Sequence, residues 1–291
     1  MDARLEELVR LLTLERLEDD LFRGESRDIG SPQVFGGQVL GQALQAAYAT
    51  VPPDRAVHSL HAYFLRRGDF NAPIVYDVDR SRDGESFSSR RVTAIQHGVQ
   101  IFNLSASFQK PEQGIEHQAP PPDVPPPEAL HDSRALPDEI LRRLPVRARH
   151  FLERTRPFEF RPVEPDDWLS AEPLPPTQHV WFRAVDRLPD DETLHRSLLA
   201  YVSDYNLLHT VLRPHPIAPF TGSVLMASID HGMWFHRPPR VDDWLLYDMS
   251  SPSASGARGF ATGRLYTRSG TLVASTAQEG LLRLVPAAGR N

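Results

Sequence analysis

The sequence predicts an α+β protein built from two copies of one unit, in which a helix precedes several antiparallel strands. The two predicted helices, residues 35–48 and 192–212, are each followed by four strand-like segments. Gly98 and Gly270, in the turns of the last predicted hairpins, lie 172 residues apart. A shared element order at a nearly constant separation indicates an internal repeat, although two unrelated α+β domains are the alternative.

The helices are predicted from the spacing and type of their apolar residues. An amphipathic helix follows Asp2, a suitable N-cap, and its apolar stripe comprises Leu5, Leu8, Val9, Leu11 and Leu12. Residues 35–48 include three glycines and three alanines but no charge, which favours a helix buried under other elements. Residues 192–212 repeat leucine, valine and tyrosine at helical spacing.

The strands are predicted from alternating or β-branched segments between turn residues. In the first half they are residues 57–65, 74–78, 87–96 and 99–108, and in the second half 158–163, 179–185, 224–235, 244–249, 258–267 and 271–284. The segment at residues 61–66 also aligns with residues 232–237 at a separation of 171. A long buried helix followed by an antiparallel sheet that curls around it is the hotdog pattern, so two copies predict a double hotdog.

Between the two copies the chain is rich in proline. Residues 111–176 hold 15 of the 27 prolines, and proline resists regular helix and sheet. The predicted division is therefore an N-terminal hotdog repeat at residues 1–110, a proline-rich connector at 111–176 and a C-terminal hotdog repeat at 177–291. A short helix is predicted within the connector, near residues 136–144.

Composition and charge exclude several classes of protein. The chain of 291 residues is 40% hydrophobic and 24% charged, as in ordinary globular proteins. Its zero cysteines exclude disulfide scaffolds, thiolate metal sites and a cysteine nucleophile. The net charge of −6 gives no indication of nucleic-acid binding. With neither a membrane-length apolar segment nor a secretory signal, we expect a cytoplasmic protein without membrane insertion.

Several catalytic motifs are missing from the sequence. It contains neither the Gly-x-Ser-x-Gly elbow of α/β-hydrolases nor the His-Glu-x-x-His pair of zinc proteases. Gly36, Gly37 and Gly41 are spaced as in a phosphate-binding loop, but no Lys-Ser/Thr pair follows them. We therefore predict neither a metal nor a cofactor.

Asp204 is a candidate general base because it lies in a predicted helix segment that is otherwise apolar. Burial would raise its pKa, and such a carboxylate can take a proton from water near neutral pH. A buried aspartate held by a structural hydrogen bond is the alternative. The helix at residues 35–48 has no acidic residue, so one acid–base site per chain is expected.

Long segments of both halves resemble one enzyme family. They are SPQVFGGQVLGQA (residues 31–43), HSLHAYFL (58–65), MASIDHGMWFHR (226–237) and STAQEG (275–280). Together they resemble the type II acyl-CoA thioesterases, a TesB-like family with a double hotdog fold, over nearly the whole chain. The resemblance implies hydrolysis of acyl-CoA to free acid and coenzyme A by direct attack of water, without a metal or a covalent enzyme intermediate.

The resemblance also implies a catalytic trio of an aspartate, a threonine or serine, and a glutamine. By motif these are Asp204, Ser228 and Gln278. Close relatives carry threonine where Ser228 stands; serine keeps the hydroxyl but rotates more freely. A homodimer or homotetramer is also implied.

Two other functions are weighed against hydrolysis. Asp230 and His231 superficially match the aspartate and histidine of hotdog hydratases or dehydratases, although a structural role is preferred for them. The other alternative is a non-catalytic acyl-CoA-binding module. In every case the polyanionic coenzyme A needs local cations, and the candidate arginines are Arg66, Arg67, Arg90, Arg91, Arg237, Arg258 and Arg264.

Overall fold

The computed structural model describes residues 1–31, 33–133, 157–164, 170–217 and 223–285, and the single positions 142, 146 and 149. The short helix predicted near residues 136–144 lies almost wholly outside these residues. Three α-helices lie within them: α1 (Ala3–Leu12), α2 (Gly36–Tyr48) and α3 (Glu192–Ser203). None of these helices is long and apolar enough to cross a membrane.

The strands described form one antiparallel sheet. They are β1 (Glu15–Arg16), β2 (Leu21–Gly24), β3 (Ala56–Phe64), β4 (Ile74–Asp83), β5 (Phe87–Gln96), β6 (Val99–Gln109), β7 (Phe158–Pro162), β8 (Thr177–Ala184), β9 (Val224–Ser228), β10 (Asp230–Phe235), β11 (Leu245–Ser255), β12 (Arg258–Thr267) and β13 (Leu272–Leu284). Their order is β1-β2-β4-β5-β6-β3-β10-β13-β12-β11-β8-β7, with β9 paired to β13. The β3–β10 pair therefore joins the two halves into one sheet.

The helices form because their sequences cap and bury them. The Asp2 side chain accepts a hydrogen bond from the Arg4 backbone N–H and caps α1, as predicted. Nearly every residue of α2 is buried, and its glycines let α3 approach closely. A Cβ at Gly41 would lie 3.2 Å from the Ser197 carbonyl oxygen, and one at Gly37 would lie 2.1 Å from that of Tyr201. These contacts show that α2 and α3 run antiparallel in the core.

The two halves repeat each other down to their strand irregularities. The β4–β5 ladder shifts register between Asp79 and Arg82, and the β11–β12 ladder shifts between Ser250 and Ser253. The irregularity in the second half therefore lies 171 residues after the one in the first half. Because β-bulges are specific structural features, this agreement supports the internal repeat more strongly than the weak sequence identity does.

The pairing between the halves gives the position of the pseudo-twofold axis. His61 of β3 faces Gly232 of β10, and these two residues are themselves 171 positions apart. The axis that relates the halves therefore passes through this pair. Two central helices against one sheet of two equivalent halves make the double hotdog that the sequence predicts.

Two predicted elements differ most from the structure. The helix predicted at residues 192–212 ends at Ser203, because Asn206 takes a left-handed φ of 65°, and a short 3-10 helix follows at Leu208–Val211. The strand predicted at residues 224–235 is divided by Ile229 into β9 and β10.

The described part of the proline-rich connector packs against the second half. The Trp181 indole donates to the Pro125 carbonyl at 3.0 Å, and the Tyr266 hydroxyl donates to the Pro120 carbonyl at 3.2 Å. Strand β7 also lies inside the predicted connector, where it pairs with β8. The division of the chain at residues 110 and 176 remains a prediction.

Candidate active site

The three predicted catalytic residues meet in the structure. Asp204 follows the last residue of α3, Ser228 ends β9, and Gln278 lies in the middle of β13. The Gln278 Nε2 atom donates one hydrogen bond to Asp204 Oδ1 and another to Ser228 Oγ, both at 2.8 Å. Residues 74 and 50 positions apart along the chain are thus joined through one amide group.

The hydrogen bonds define which groups remain free to react. Gln278 is fully buried, and both hydrogens of its amide nitrogen go to these two acceptors. Since Ser228 Oγ accepts from Gln278, the serine hydroxyl hydrogen is left to donate elsewhere. The Gln278 Oε1 atom has no hydrogen-bond partner among the described residues.

The environment of Asp204 suits a group that exchanges a proton near neutral pH. Burial raises the pKa of its carboxyl group to about 6, against the lowering effect of hydrogen bonds from the Gln278 amide and the Gly37 backbone N–H. The carboxylate is therefore a stronger base than an exposed aspartate and is still largely ionised at pH 7.

Two glycines at the start of α2 make room for the Asp204 carboxylate. A Cβ at Gly36 would lie 2.6 Å from Asp204 Oδ2, closer than real Cβ contacts come. Gly37 adds the N–H that this carboxylate accepts, one of the donors left unpaired in the first turn of a helix. The first half therefore completes a site whose three predicted side chains belong to the second.

Sequence reasoning missed this role of Gly36 and Gly37. It tested the glycines only as a phosphate-binding loop and left the backbone donors of the site unassigned. The available signal was the pair of glycines at the start of a predicted helix. Glycine at such a position permits other atoms to approach the backbone closely.

Ser228 reaches Gln278 because of the break between β9 and β10. Ser228 faces Gly280 across the ladder, two residues beyond Gln278 on β13. Ile229 interrupts the strand pairing, and its backbone bonds to both neighbouring strands, donating to Glu279 and accepting from Phe64. Such irregularities redirect side chains beside functional sites.

A pocket of about 200 Å³ lies next to this trio. Ser228 and Gly36 line it together with apolar side chains from α2, β3 and β6, among them Val39, Phe64 and Phe102. The pocket therefore brings a mostly apolar space to the Ser228 hydroxyl and to the glycine beside Asp204.

Asp230 and His231 adjoin Ser228 in sequence but bond elsewhere. Asp230 Oδ1 accepts from the Glu279 backbone N–H at 2.7 Å. The His231 ring is buried, lies 3.0 Å from the Ser203 hydroxyl, and has its pKa lowered to about 4 by burial. They therefore form no aspartate–histidine pair facing the pocket, as a hydratase-like site would need.

The described residues contain no group of three or more histidine, aspartate or glutamate side chains placed to hold a metal ion.

The fold is a double hotdog with one polar trio beside a pocket, and comparisons with known proteins identify it as a thioester hydrolase and give its family. The family model described as acyl-CoA thioesterase matches residues 148–281, and the model of the acyl-CoA thioesterase N-terminal domain matches residues 23–109. Acyl-CoA thioesterase 2 of Haemophilus influenzae is 43% identical over 97% of this chain and 99% of its own length. The chain belongs to the acyl-CoA thioesterase family, which confirms the predicted resemblance and enzyme class.

Solved structures agree with this assignment. The crystal structure of acyl-CoA thioesterase II TesB2 from Mycobacterium marinum matches with a TM-score of 0.78 and 44% identity, over 96% of this chain and 99% of that one. A hot dog fold protein of unknown function from Alicyclobacillus acidocaldarius matches with a TM-score of 0.73 at 19% identity, over 97% and 99% of the two chains. This second match shows the fold alone, and the predicted fold class is confirmed.

Proposed function

We propose that this thioesterase hydrolyses acyl-CoA to a free fatty acid and coenzyme A by direct attack of water, with Asp204 as the general base. The observation that carries the proposal is the buried Gln278 amide, which donates to Asp204 and Ser228 at 2.8 Å each. This amide holds a base and a hydroxyl at a fixed separation beside a pocket, the arrangement that a positioned water requires.

In the proposed reaction, Asp204 takes a proton from a water molecule that Ser228 helps to hold. The water oxygen forms a bond to the thioester carbonyl carbon, and the carbon–sulfur bond then breaks. The proton on Asp204 passes to the departing coenzyme A thiolate, which restores the carboxylate. Positioned base catalysis of this kind contributes about 10²–10⁴-fold to the rate.

The first turn of α2 is suited to stabilise the oxyanion that forms on the carbonyl oxygen. Gly36 lines the pocket with Ser228, and its backbone N–H has no acceptor among the described residues. A helix N-terminus carries partial positive charge, and an oxyanion donor of this type is worth about 10²–10³-fold in rate. We assign this role to the Gly36 N–H.

Thiol release from a panel of acyl-CoA substrates tests the proposed function. Because the chain has no cysteine, the enzyme contributes no thiol background to a colorimetric assay. We expect hydrolysis with at least one acyl-chain length. We also expect S228T to keep most of the activity and S228A to lose most of it, since only threonine retains a hydroxyl.

Two outcomes would contradict the proposal. Binding of acyl-CoA without thiol release at any chain length would favour the non-catalytic binding module. Equal activity of S228A and S228T would remove the hydroxyl from the mechanism.

We further propose that the protein is cytoplasmic and forms a homodimer or homotetramer. Support for association comes from Tyr63 and Trp234, large aromatic side chains exposed near the β3–β10 junction. Size-exclusion chromatography with light scattering measures the assembly directly. A single species at the chain mass of 32.8 kDa would contradict it; cell fractionation tests the location.

A further inference from the structure

The pocket beside Ser228 has two arginines in its wall, in the segment that follows β3. Arg66 and Arg67 line the same pocket as Ser228 and Gly36, and both are exposed to solvent. Backbone hydrogen bonds hold this segment in place: the Arg66 N–H donates to the Ile101 carbonyl, and the Gly68 carbonyl accepts from Val34. The two guanidinium groups are thus carried by an ordered rim.

Ion pairing separates these two arginines from most other candidates for binding coenzyme A. Four of the seven arginines considered from sequence already contact carboxylates: Arg90 with Asp83 at 2.9 Å, Arg237 with Glu116 at 3.5 Å, Arg258 with Glu279 at 2.9 Å and Arg264 with Asp248 at 3.3 Å. Arg90 is also buried. Of the remaining three, Arg91 is exposed but does not line the pocket.

Arg66 and Arg67 have no carboxylate within ion-pair distance among the described residues. Arg66 Nη1 donates to the Gln100 carbonyl at 2.6 Å, which leaves its charge uncompensated. The neighbouring Asp69 is engaged instead, accepting from the Asn71 backbone N–H at 2.9 Å and lying 3.1 Å from the His97 ring. In a chain of net charge −6, this pair is a local source of positive charge.

We propose that Arg66 and Arg67 bind the phosphate groups of coenzyme A and that the pocket between them and Ser228 receives the pantetheine arm. The inference rests on the proposed function, because it places the thioester at Ser228. Guanidinium groups bind phosphate oxygens through paired, charge-assisted hydrogen bonds, so uncompensated arginines suit a polyanion. The apolar pocket wall suits the methylene and dimethyl groups of the arm, and the arginines fix which end of the substrate lies at the rim.

The test compares two thioesters with the same acyl group, one on coenzyme A and one on N-acetylcysteamine, which has no phosphate. We expect R66Q and R67Q each to raise KM for the acyl-CoA about tenfold or more, as loss of a charge-assisted bond predicts, with kcat little changed. KM for the N-acetylcysteamine thioester is expected to stay unchanged. R91Q, which removes an exposed arginine outside the pocket, is the matched control.

A second measurement separates this inference from the proposed function. Calorimetric titration with free coenzyme A and with dephospho-coenzyme A measures phosphate binding without hydrolysis, and R66Q/R67Q should weaken both. If the wild-type protein released no thiol but this loss of binding were observed, the proposed function would fail and the phosphate site would stand. An equal rise in KM for both thioesters, or unchanged coenzyme A binding in R66Q/R67Q, would overturn the phosphate site.

Discussion

The two hotdog repeats have the same backbone plan, yet only the second carries the proposed catalytic residues. By the offset of 156 between α2 and α3, Asp204 corresponds to Tyr48. By strand register, Ser228 corresponds to Val57 and Gln278 to Ala106. The fold therefore supplies two equivalent places for a site, and side-chain chemistry decides which of them can hold a water and a base.

In the first repeat, the place equivalent to the proposed active site is filled by hydrogen bonds among its own residues. The Tyr48 hydroxyl accepts from the Val57 backbone N–H at 3.0 Å. Arg196 of α3 reaches across to donate to the Val57 carbonyl at 2.9 Å and pairs with Glu192. The residue equivalent to Arg196 in α2 is Leu40, so this closure has no counterpart at the proposed active site.

A difference in loop length accompanies the difference in chemistry. Seven residues separate α2 from β3, whereas 20 separate α3 from β9, the strand that holds the counterpart of Val57. The comparison shows that the second repeat keeps its strand register although the connection after its helix is longer.

The largest expected effect comes from exchanging the residue that most distinguishes the repeats. D204N should lower kcat about 10²–10⁴-fold, because the amide cannot accept a proton from water. Y48F, the matched change in the first repeat, should leave kcat unchanged and lower the free energy of unfolding by about 0.5–1.5 kcal/mol through loss of one hydrogen bond. Thiol-release kinetics and urea unfolding measure the two effects.

Near wild-type turnover in D204N would assign Asp204 a structural role. A loss of kcat in Y48F similar to that in D204N would mean that both repeats carry catalytic sites.

The next effect is on the pH dependence of activity. Because the pKa of Asp204 is raised to about 6, kcat/KM should fall about tenfold per pH unit below pH 6 as the base is protonated. The folded state binds this proton more tightly than the unfolded chain. Asp204 therefore makes the free energy of unfolding decrease as the pH rises from about 4 to about 6.

D204N should remove this contribution to the pH dependence of stability. Urea unfolding of wild type and D204N between pH 4 and 7 isolates the contribution of Asp204. The buried histidines, which make the free energy of unfolding increase with pH, are present in both proteins. Parallel stability curves would contradict the raised pKa.

The smallest effect on turnover is expected from a change that opens the closed place in the first repeat. R196L introduces the residue type that α2 carries at the equivalent position, and it removes the bond to the Val57 carbonyl and the pair with Glu192. We expect the free energy of unfolding to fall by about 1–3 kcal/mol, with kcat unchanged. Unchanged stability in urea would mean that these contacts do not hold the repeats together.

Much of the fold could be predicted because its signals are local. The small, uncharged residues of α2 and the turns at Gly98 and Gly270 mark elements that burial and backbone sterics dictate. The end of α3 was not predicted, because its apolar spacing continues past Asn206, whose left-handed backbone ends the helix. The break at Ile229 was hidden in the same way, since the residues on either side of it are all strand-compatible.

The candidate site was predictable as a set of residues but not as a geometry. The resemblance indicated Asp204, Ser228 and Gln278, whereas the shared Gln278 amide depends on contacts between α3, β9 and β13. The part played by Gly37 depends on helix packing across the two halves, which no local pattern encodes. Likewise, ion pairs between neighbouring strands and with the connector decide which of the candidate arginines are uncompensated.

The pseudo-twofold axis affects which residues can face each other between the two halves. In a dimer of two identical subunits, the residue on the twofold axis would face the same residue of the other subunit. Every mutation would then occur in both subunits. Here His61 faces Gly232, and the Trp234 ring lies 3.3 Å from where a Gly232 Cβ would be and 5.2 Å from the His61 ring. Because the two halves are fused and differ in sequence, a glycine can face a histidine at the axis, and the Trp234 ring can pack over that glycine. Exact twofold symmetry would not allow this packing.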